Sequence, residues 1–332
     1  MQIAIVGAGI SGLTAARQLQ SQGHTVTVYE KSSGVSGRMS TRMTEFGGFD
    51  HGAQYFTVTS ERFKKEVADW LKVGWVAAWQ SKLVSLDAGM MEPASCTSMP
   101  FVPVPGMDSL GTQLAHGLDV RTGQQVVALE KTGNQWQMSI KSDEAPVAAF
   151  AGTSGPFDAV ILAIPPELAT LLLEGHSDFY NKVKNVKLDP CWTLMLAFPT
   201  PLNLAYDGAW ISHSKLAWIS RDTSKPDHRA GERWVCHATP AWSKEHLEDD
   251  TERVKDKLAK AFHEATTTPV QQLHATAHRW RYAQATAPLP ESYLWDAKQG
   301  LGVCGDWFAA GLDGVGRVEN AFLSGLALAK EI

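Results

Sequence analysis

The sequence predicts an α/β fold in which a parallel sheet flanked by helices carries an inserted α+β layer of antiparallel strands. An apolar strand, a glycine-rich loop, a helix and a second strand follow one another over residues 2–29. A strand-like stretch runs into a second glycine-rich segment at 303–325. These two observations predict the parallel sheet. Between 166 and 287 the chain changes to alternating, aromatic strand-like runs, which predict the inserted layer.

The composition is that of an ordinary globular protein. The chain has 332 residues, of which 44% are hydrophobic and 20% charged. Its net charge of -5, with no cluster of Lys or Arg, argues against nucleic acid as a partner. No apolar run approaches the length of a membrane span, and the N-terminus shows no export signal. We therefore expect a cytoplasmic protein with no membrane partner.

Cysteines and histidines give no sign of a metal centre. Cys96, Cys191, Cys236 and Cys304 are widely spaced and form no C-x-x-C pair, which favours reduced thiols. The 11 histidines show no metal-ligand spacing, so we expect no metal. Twelve tryptophans are many, and core packing explains most of them. A tryptophan-rich pocket for a flat ligand is the alternative.

The first glycine-rich loop has the spacing of a dinucleotide-binding motif. A predicted strand at Gln2–Val6 is followed by a G-x-G-x-x-G segment made of Gly7, Ala8, Gly9, Ile10, Ser11 and Gly12. A helix, a second strand at Thr25–Tyr29 and the acidic Glu30 come next. The glycines allow a tight turn, close approach of a pyrophosphate, and close packing of helix on strand. The acid is placed to accept hydrogen bonds from a ribose diol.

The segment after Glu30, KSSGVSGRMST, resembles the R-x-x-x-G-G-R-x-x-S/T extension of FAD enzymes of the amine oxidase and related families. The resemblance implies that Arg38 meets the diphosphate of FAD. It also implies a place at the cofactor for Lys31, Gly37 and Met39. Ser36 stands where the family has a glycine, and we expect it to adopt an ordinary backbone conformation.

The segment DHGAQYFT, at 50–57, resembles the corresponding turn of renalases, a branch of the same flavoprotein superfamily. The resemblance implies that Gln54, Tyr55 and Phe56 lie beside the isoalloxazine ring, with Tyr55 also facing the substrate. We expect His51 to be structural.

Two further segments resemble renalase, HATPAWSKEHL at 237–247 and AHRWRYAQA at 277–285. They imply pocket roles for His237, Arg279, Trp280 and Tyr282. Alternation along a strand puts Arg279 with Arg281 on one face and Trp280 with Tyr282 on the other, so one pair alone faces the substrate. A single buried arginine–carboxylate pair that merely holds the domain together explains Arg279 about as well.

The second glycine-rich segment is predicted to hold the other end of FAD. The resemblance implies that Gly305 allows close approach, that Asp306 accepts a hydrogen bond from a ribityl hydroxyl, and that Val126 touches the adenosine half. The N–H groups of a helix that begins near Arg317, Val318 and Glu319 would point at the flavin ring, where negative charge develops on reduction.

We expect noncovalent FAD, because Cys304 precedes Gly305 on a strand and points into the core. The stretch FAAGLDGV, at 308–315, is longer than in the family, which leaves the placement of Asp313 and Gly314 open.

Other elements follow from periodicity and breakers. Helices are predicted at Glu61–Lys72, Met107–His116 and Glu245–Thr266, a strand pair over 120–129, strands at 136–140 and 157–164, and an irregular stretch after Trp79. We expect a discontinuous FAD-binding domain of 1–75, 105–165 and 288–332, and a substrate-binding domain of 76–104 and 166–287.

The resemblance to renalases implies an FAD-dependent oxidase of the 2- or 6-dihydro isomers of NAD(P). Such an enzyme passes a hydride to flavin N5 and electrons to O₂, giving β-NAD(P)⁺ and H₂O₂. The substrate gains aromaticity and needs no general base, so we assign no catalytic side chain. The alternatives are a flavin amine oxidase, a non-catalytic FAD-binding redox module and a flavin monooxygenase. Preference between NAD and NADP isomers, and the oligomeric state, stay open.

Overall fold

The computed structural model describes residues 1–87, 90–94, 98–142, 152–268, 271–310 and 317–332. The strands are β1 Gln2–Val6, β2 Thr25–Tyr29, β3 Thr41–Thr44, β4 Gly47–Asp50, β5 Val76–Ala78, β6 Leu83–Asp87, β7 Met90–Pro93, β8 Phe101–Pro103, β9 Asp119–Arg121, β10 Gln124–Thr132, β11 Gln135–Ser142, β12 Gly152–Phe157, β13 Ala159–Leu162, β14 Leu188–Phe198, β15 Gly208–Ile211, β16 Leu216–Arg221, β17 Glu232–Ala238, β18 His274–Ala285, β19 Leu294–Asp296 and β20 Leu301–Val303. The helices are α1 Ile10–Ser21, α2 Glu61–Lys72, α3 Ser109–Ala115, α4 Pro166–Leu173, α5 Phe179–Val183, α6 Pro240–Glu245, α7 Thr251–Thr266 and α8 Val318–Glu331.

A six-stranded sheet forms the first layer, in the order β19-β20-β13-β1-β2-β9. All neighbours are parallel except β19 and β20. Strands β1, β2 and β13 are almost fully buried, as expected for a parallel sheet covered on both faces. Helices α1 and α8 pack so closely that a Cβ on Gly325 would lie 2.1 Å from the backbone oxygen of Ser11. The predicted α/β class is confirmed.

A seven-stranded sheet, in the order β18-β14-β17-β16-β15-β6-β7, forms the second layer. Its neighbours are antiparallel except for β15 and β6. Helix α7 covers it with Val254, Leu258 and Phe262, which are fully buried in the same core cluster as the strands. The predicted antiparallel α+β layer is therefore present. The domain boundaries themselves stay a prediction.

Three local predictions were wrong in detail. The long helix predicted at Glu245–Thr266 begins at Thr251, as α7, because Asp250 caps its start by accepting the N–H groups of Glu252 and Arg253. The shorter helix α6 ends at Glu245, where the predicted helix was expected to begin. The strand pair predicted over 120–129 is two strands of different sheets, since β9 pairs with β2 and β10 with β11. The stretch after Trp79, expected to be irregular, contains the hairpin strands β6 and β7.

In the described part of the chain, no helix is both long enough and apolar enough to cross a bilayer.

Replacing Gly12 by alanine should destabilise the fold by about 3 kcal/mol or more, because the new methyl group would meet the backbone of Gly7. Gly9→Ala is the matched control, since Gly9 already has a φ of -75° and the described residues leave space for its Cβ. Urea unfolding of both variants without added cofactor measures the difference. Equal loss of stability in the two variants would contradict the conclusion that Gly12, unlike Gly9, has no room for a Cβ.

Candidate active site

The loop between β1 and α1 depends on the absence of two side chains. Gly7 has a φ of +105°, and a Cβ there would lie 2.5 Å from the carbonyl oxygen of Ala163. A Cβ on Gly12 would lie 2.1 Å from the Gly7 carbonyl oxygen. No described atom lies within 4 Å of a Cβ built on Gly9. The backbone therefore faces open space beside the N-terminus of α1, where an anionic diphosphate fits. The other loop members, Ala8, Ile10 and Ser11, are buried.

Glu30, directly after β2, is fixed toward this loop. Its two carboxylate oxygens accept hydrogen bonds from the N–H groups of Ala8, at 2.9 Å, and Ser32, at 2.8 Å. A carboxylate has about four acceptor positions, so capacity remains for ribose hydroxyls. The start of β10 lies beside the acid, because the N–H of Gln124 donates to the Glu30 carbonyl at 2.9 Å, and Val126 follows two residues later. Lys31 is exposed.

Arg38 links the two glycine-rich segments. Its guanidinium donates to both carboxylate oxygens of Asp306, at 2.5 and 2.9 Å, and to the carbonyl oxygen of Ala283 on β18 at 2.8 Å. The predicted ligands of the diphosphate and of the ribityl chain are thus in direct contact. Nearby, the N–H of Gly305 donates to the hydroxyl of Ser324 on α8 at 3.0 Å.

Ser36 does not have the ordinary backbone conformation that we expected, since its φ is +84°. Hydrogen bonds hold it there. Its N–H donates to the carbonyl of Ala8 at 2.9 Å, and its hydroxyl donates to the carbonyl of Asp108 at 2.8 Å. Gly37 follows with a φ of +57°, and Met39 is buried in the core. The serine therefore replaces a glycine by adding hydrogen bonds that offset the strain.

The turn after β4 orients Gln54. Its amide nitrogen donates to the Asp50 carbonyl and, at 3.3 Å, to the Gly52 carbonyl. Its amide oxygen accepts from the hydroxyl of Ser220 at 2.5 Å. Because both ends of the amide have partners, its orientation is fixed.

Tyr55 and Phe56 continue the turn in different directions. The Tyr55 ring lies 5.9 Å from the ring of Trp79 and 5.8 Å from that of Trp218. Phe56 is 4% exposed and stacks on Phe101 at 6.0 Å. Tyr55 is therefore part of an aromatic group, whereas Phe56 anchors the turn in the core.

A cavity of about 750 Å³ opens beside this turn. Its described lining combines the turn with the ends of the second sheet, a loop before β8 and the start of α8. These residues are Ala53, Gln54, Tyr55, Phe56, Thr57, Ser85, Ala94, Ser98, Trp210, Trp218, His237, Arg317 and Val318. The volume and the mixture of aromatic and polar groups are typical of a small-molecule site.

His237 is one of the predicted pocket residues that the structure places in the cavity. Its Nε2 lies 3.5 Å from the amide nitrogen of Gln54. Burial lowers the pKa of His237 to about 4, although hydrogen bonds to the backbone at His51 and Gly52 oppose the shift. The imidazole is therefore neutral at pH 7. His51 is itself buried, in line with a structural role, and burial lowers its pKa to about 3.

Arg279, Trp280 and Tyr282 of β18 are not among the described residues that line this cavity, and their pocket roles stay predictions. Arg279 and Arg281 both contact Glu248, and the Arg279 guanidinium lies over the Trp192 ring at 5.6 Å. Arg279 therefore has a carboxylate partner, but this pair lies at the surface, where the Glu248 side chain is 69% exposed, and is not the buried pair of the alternative. The indole N–H of Trp280 donates to the carbonyl of His51 at 3.0 Å and thereby fixes the turn after β4.

Tyr282 packs on the core cluster around β13 and α4. Neither Trp280 nor Tyr282 is among the described residues that line the cavity.

The start of α8 supplies Arg317 and Val318 to the cavity, but Glu319 has another role. Its carboxylate accepts the N–H groups of Thr59, at 2.9 Å, and Ser60, at 2.6 Å, and it is 1% exposed. Glu319 therefore fastens α8 to the start of α2. Residues 311–316, which include Asp313 and Gly314 of the long segment, lie outside the described residues.

The cysteines that the structure describes are free thiols: Cys191, Cys236 and Cys304. Burial raises the pKa of Cys304 to about 12, so it carries no thiolate at neutral pH. Cys96 lies outside the described residues. Noncovalent binding of FAD stays a prediction.

A buried charged cluster, made of Asp50, Asp222, Lys225 and His228, lies beneath the turn. The ammonium of Lys225 is 2.9 Å from Asp50 and 2.8 Å from Asp222, and all three side chains are fully buried. His228 Nε2 is 3.1 Å from Asp50. Asp50 and Asp222, with His228, have the ligand types of a metal site. The ammonium of Lys225 already provides the cation between the two carboxylates.

The charged groups of this cluster shift one another's pKa values. Burial opposes ionisation of Asp50, but the charge of Lys225 and the hydrogen bond from His228 hold its pKa well below the ordinary value. Burial raises the pKa of Asp222 against the charge of Lys225. Burial would lower the pKa of His228, but its hydrogen bond to Asp50 and the charges of Asp222 and Asp50 raise it above 6.5. The direction of this shift favours the imidazolium form of His228.

Comparison with known proteins agrees with this geometry. Residues 85–332 match the family of flavin containing amine oxidoreductases, and residues 5–71 match the NAD(P)-binding Rossmann-like domain. The 4,4'-diapophytoene desaturase of Staphylococcus aureus is 48% identical over 52 residues, which are 16% of this chain and 10% of the desaturase. The match thus spans about a tenth of that relative's length.

Solved structures share the fold over the whole chain. A protein of Exiguobacterium sp. 255-15 described as a protoporphyrinogen oxidase aligns with a TM-score of 0.76 at 12% identity, over 99% of this chain and 98% of that one. An oxidoreductase from Methanosarcina mazei aligns at 0.71 and 16%, over 99% and 100%. Putrescine oxidase bound to putrescine aligns at 0.71 and 14%, over 100% and 99%.

The chain belongs to the flavin containing amine oxidoreductase family. FAD is its cofactor, and the glycine loop, Glu30 and the Arg38–Asp306 contact form a site whose open backbone and hydrogen-bonding groups fit that molecule. The protein is a flavin-dependent oxidoreductase.

Sequence reasoning missed several cavity residues: Thr57, Ser85, Ala94, Ser98, Trp210 and Trp218. One signal was available for the two tryptophans, which occupy matching positions in GAWIS and LAWIS and pair across β15 and β16. Most tryptophans do fill the core, as expected, and Trp218 both belongs to the core and lines the cavity with Trp210.

Loss of the His228 charge should change how stability depends on pH. Because the folded-state pKa of His228 is raised, its stabilisation is complete below the unfolded value of 6.5 and is lost as pH rises through the raised pKa. Over that range wild type should lose up to about 1.4 kcal/mol per pH unit relative to His228→Gln. Urea unfolding from acid to alkaline pH measures the difference, and parallel curves for the two proteins would contradict the assignment.

Proposed function

We propose that the protein is a renalase-like oxidase of mis-reduced NAD(P), acting in the cytoplasm on isomers that carry the hydride at the 2- or 6-position. One substrate molecule, one O₂ and one proton give one β-NAD(P)⁺ and one H₂O₂, so atoms and electrons balance. When bound, FAD would supply the hydride acceptor at N5 and the route by which the electron pair reaches O₂.

The chemistry of the cavity wall carries the proposal. Tyr55, Trp210 and Trp218 provide aromatic surfaces for a flat ring, and Trp210 and Trp218 are 4.6 Å apart. Arg317 is the one charged side chain in the described lining, and that lining contains no carboxylate. A protonated amine would find no anionic partner among these residues, whereas a neutral dihydropyridine ring requires none.

Polar groups of the wall are suited to orienting a substrate. Gln54 is locked by its hydrogen bonds to Asp50 and Ser220, and His237 is neutral beside it. Oxidation of a dihydropyridine restores aromaticity and transfers no proton to the protein. The side chains therefore have to position the ring and exclude water, and that contribution alone lowers the barrier substantially.

Oxidation of a small amine is the second candidate. The family and the likeness of the fold to putrescine oxidase favour it. The aromatic wall suits a neutral amine as well as a dihydropyridine.

The two candidates are separated by anaerobic reduction of the flavin. We expect the purified holoprotein to lose its visible flavin absorbance rapidly with 6-dihydro-NAD. Benzylamine, putrescine and ordinary β-NADH should leave it oxidised. Bleaching by an amine but not by the dihydro isomer would overturn the proposal in favour of amine oxidation, and failure of all four compounds would overturn both.

Aerobic turnover tests whether the protein is catalytic. With excess 6-dihydro-NAD, we expect many equivalents of H₂O₂ and β-NAD⁺ per flavin, in equal amounts. Arrest after one equivalent would mean a redox module instead of an oxidase.

A further inference from the structure

Arg317, at the start of α8, is a cation at the cavity wall whose charge has no anionic partner among the described residues. Its two terminal nitrogens donate to the hydroxyls of Thr59, at 3.2 Å, and Thr57, at 3.3 Å. These are long, neutral contacts. A guanidinium has five N–H donors, so most of its hydrogen-bonding capacity has no partner among the described residues.

Arg38 and Arg281 differ from Arg317 because each has a carboxylate partner. Arg38 is bound by Asp306, and Arg281 by Glu248. The carboxylate closest in sequence to Arg317, that of Glu319, is occupied by the N–H groups of Thr59 and Ser60. The two threonines thus hold the guanidinium in place while Glu319 is kept away from it.

The cavity therefore has two chemically distinct parts. Tyr55, Trp210 and Trp218 form an aromatic part, and Arg317 with Thr57 forms a cationic, hydrogen-bonding part. A ligand that uses both has a flat ring and an anionic group. Planar guanidinium groups bind phosphate oxygens in a bidentate manner, which a threonine-held side chain is prepared to do.

We propose that Arg317 selects substrates that carry phosphate, by binding the 5'-phosphate or pyrophosphate attached to the dihydronicotinamide ribose. The inference rests on the proposed function and names the part of the substrate that the protein recognises besides the ring. It makes Arg317 a specificity-determining residue that takes no part in hydride transfer.

A substrate series with and without phosphate tests the inference. The reduced 6-dihydro forms of NAD, nicotinamide mononucleotide and nicotinamide riboside are compared in steady-state oxidation. Arg317→Gln should raise KM for the two phosphate-bearing substrates about 10- to 100-fold, as expected for loss of hydrogen bonds to a charged group, and should leave KM for the riboside unchanged. Arg317→Lys should fall between, because it keeps the charge without the planar donor pair.

Arg42→Gln is the matched control, because Arg42 is a half-buried arginine that contacts His278 and is not among the described residues lining the cavity. It should leave all three KM values unchanged. Calorimetry with inorganic pyrophosphate gives a readout independent of turnover, and binding to wild type should be lost in Arg317→Gln.

The outcomes separate the two proposals. Oxidation of all three substrates with KM values that Arg317→Gln does not alter would overturn the role of Arg317 and leave the proposed function standing. An equal rise in KM for the riboside would also overturn it, since the arginine would then act on the flavin or the ring. Failure of wild type to oxidise any dihydro isomer would overturn the proposed function, and with it the substrate assigned to Arg317.

Discussion

The ammonium of Lys225 between Asp50 and Asp222 is the contact on which the geometry of the site depends. It joins the end of β4 to the segment after β16, 175 positions apart, with all three side chains fully buried. Asp50 also accepts the N–H of Met107 at 2.9 Å, which brings in the start of the α3 region. Removing one partner of a buried ion pair costs about 3–5 kcal/mol, because the remaining charge stays uncompensated.

Each of the acidic side chains discussed around the cavity has a cation or backbone N–H groups as its partner. Asp50 and Asp222 bind Lys225, Asp306 binds Arg38, and Glu319 binds backbone N–H groups. Glu30 likewise binds backbone, at the far end of the cofactor site. The described carboxylates therefore hold elements together and do not face a substrate. These carboxylates therefore do not repel a substrate that has an electron-rich ring and an anionic group. Both proposals require that such repulsion is absent.

Local pattern was sufficient for the N-terminal part of the first layer. The order of strand, glycine loop, helix, strand and acid in 2–30 predicted β1, α1 and β2, and Glu30 lies against the loop as that order requires. Such motifs can be recognised in a sequence because their parts contact residues that are close in the chain. The hairpin of β6 and β7 was missed for the opposite reason, since β6 is stabilised by pairing with β15, more than 100 residues away.

The contacts of side chains in the second sheet depend on how neighbouring strands are aligned. The alternation of residues along one strand does not determine this alignment. Alternation correctly grouped Arg279 with Arg281 but could not say which face meets the cavity. Register places Arg279 opposite Trp192, whose ring it covers, and thereby directs it to Glu248. The same register puts His237 opposite Trp218, so both reach the cavity wall. Arg317 reaches the cavity wall from the start of α8 instead. Alternation does not predict that it lacks a carboxylate partner within the described part of the chain, because that depends on the contacts which occupy Glu319.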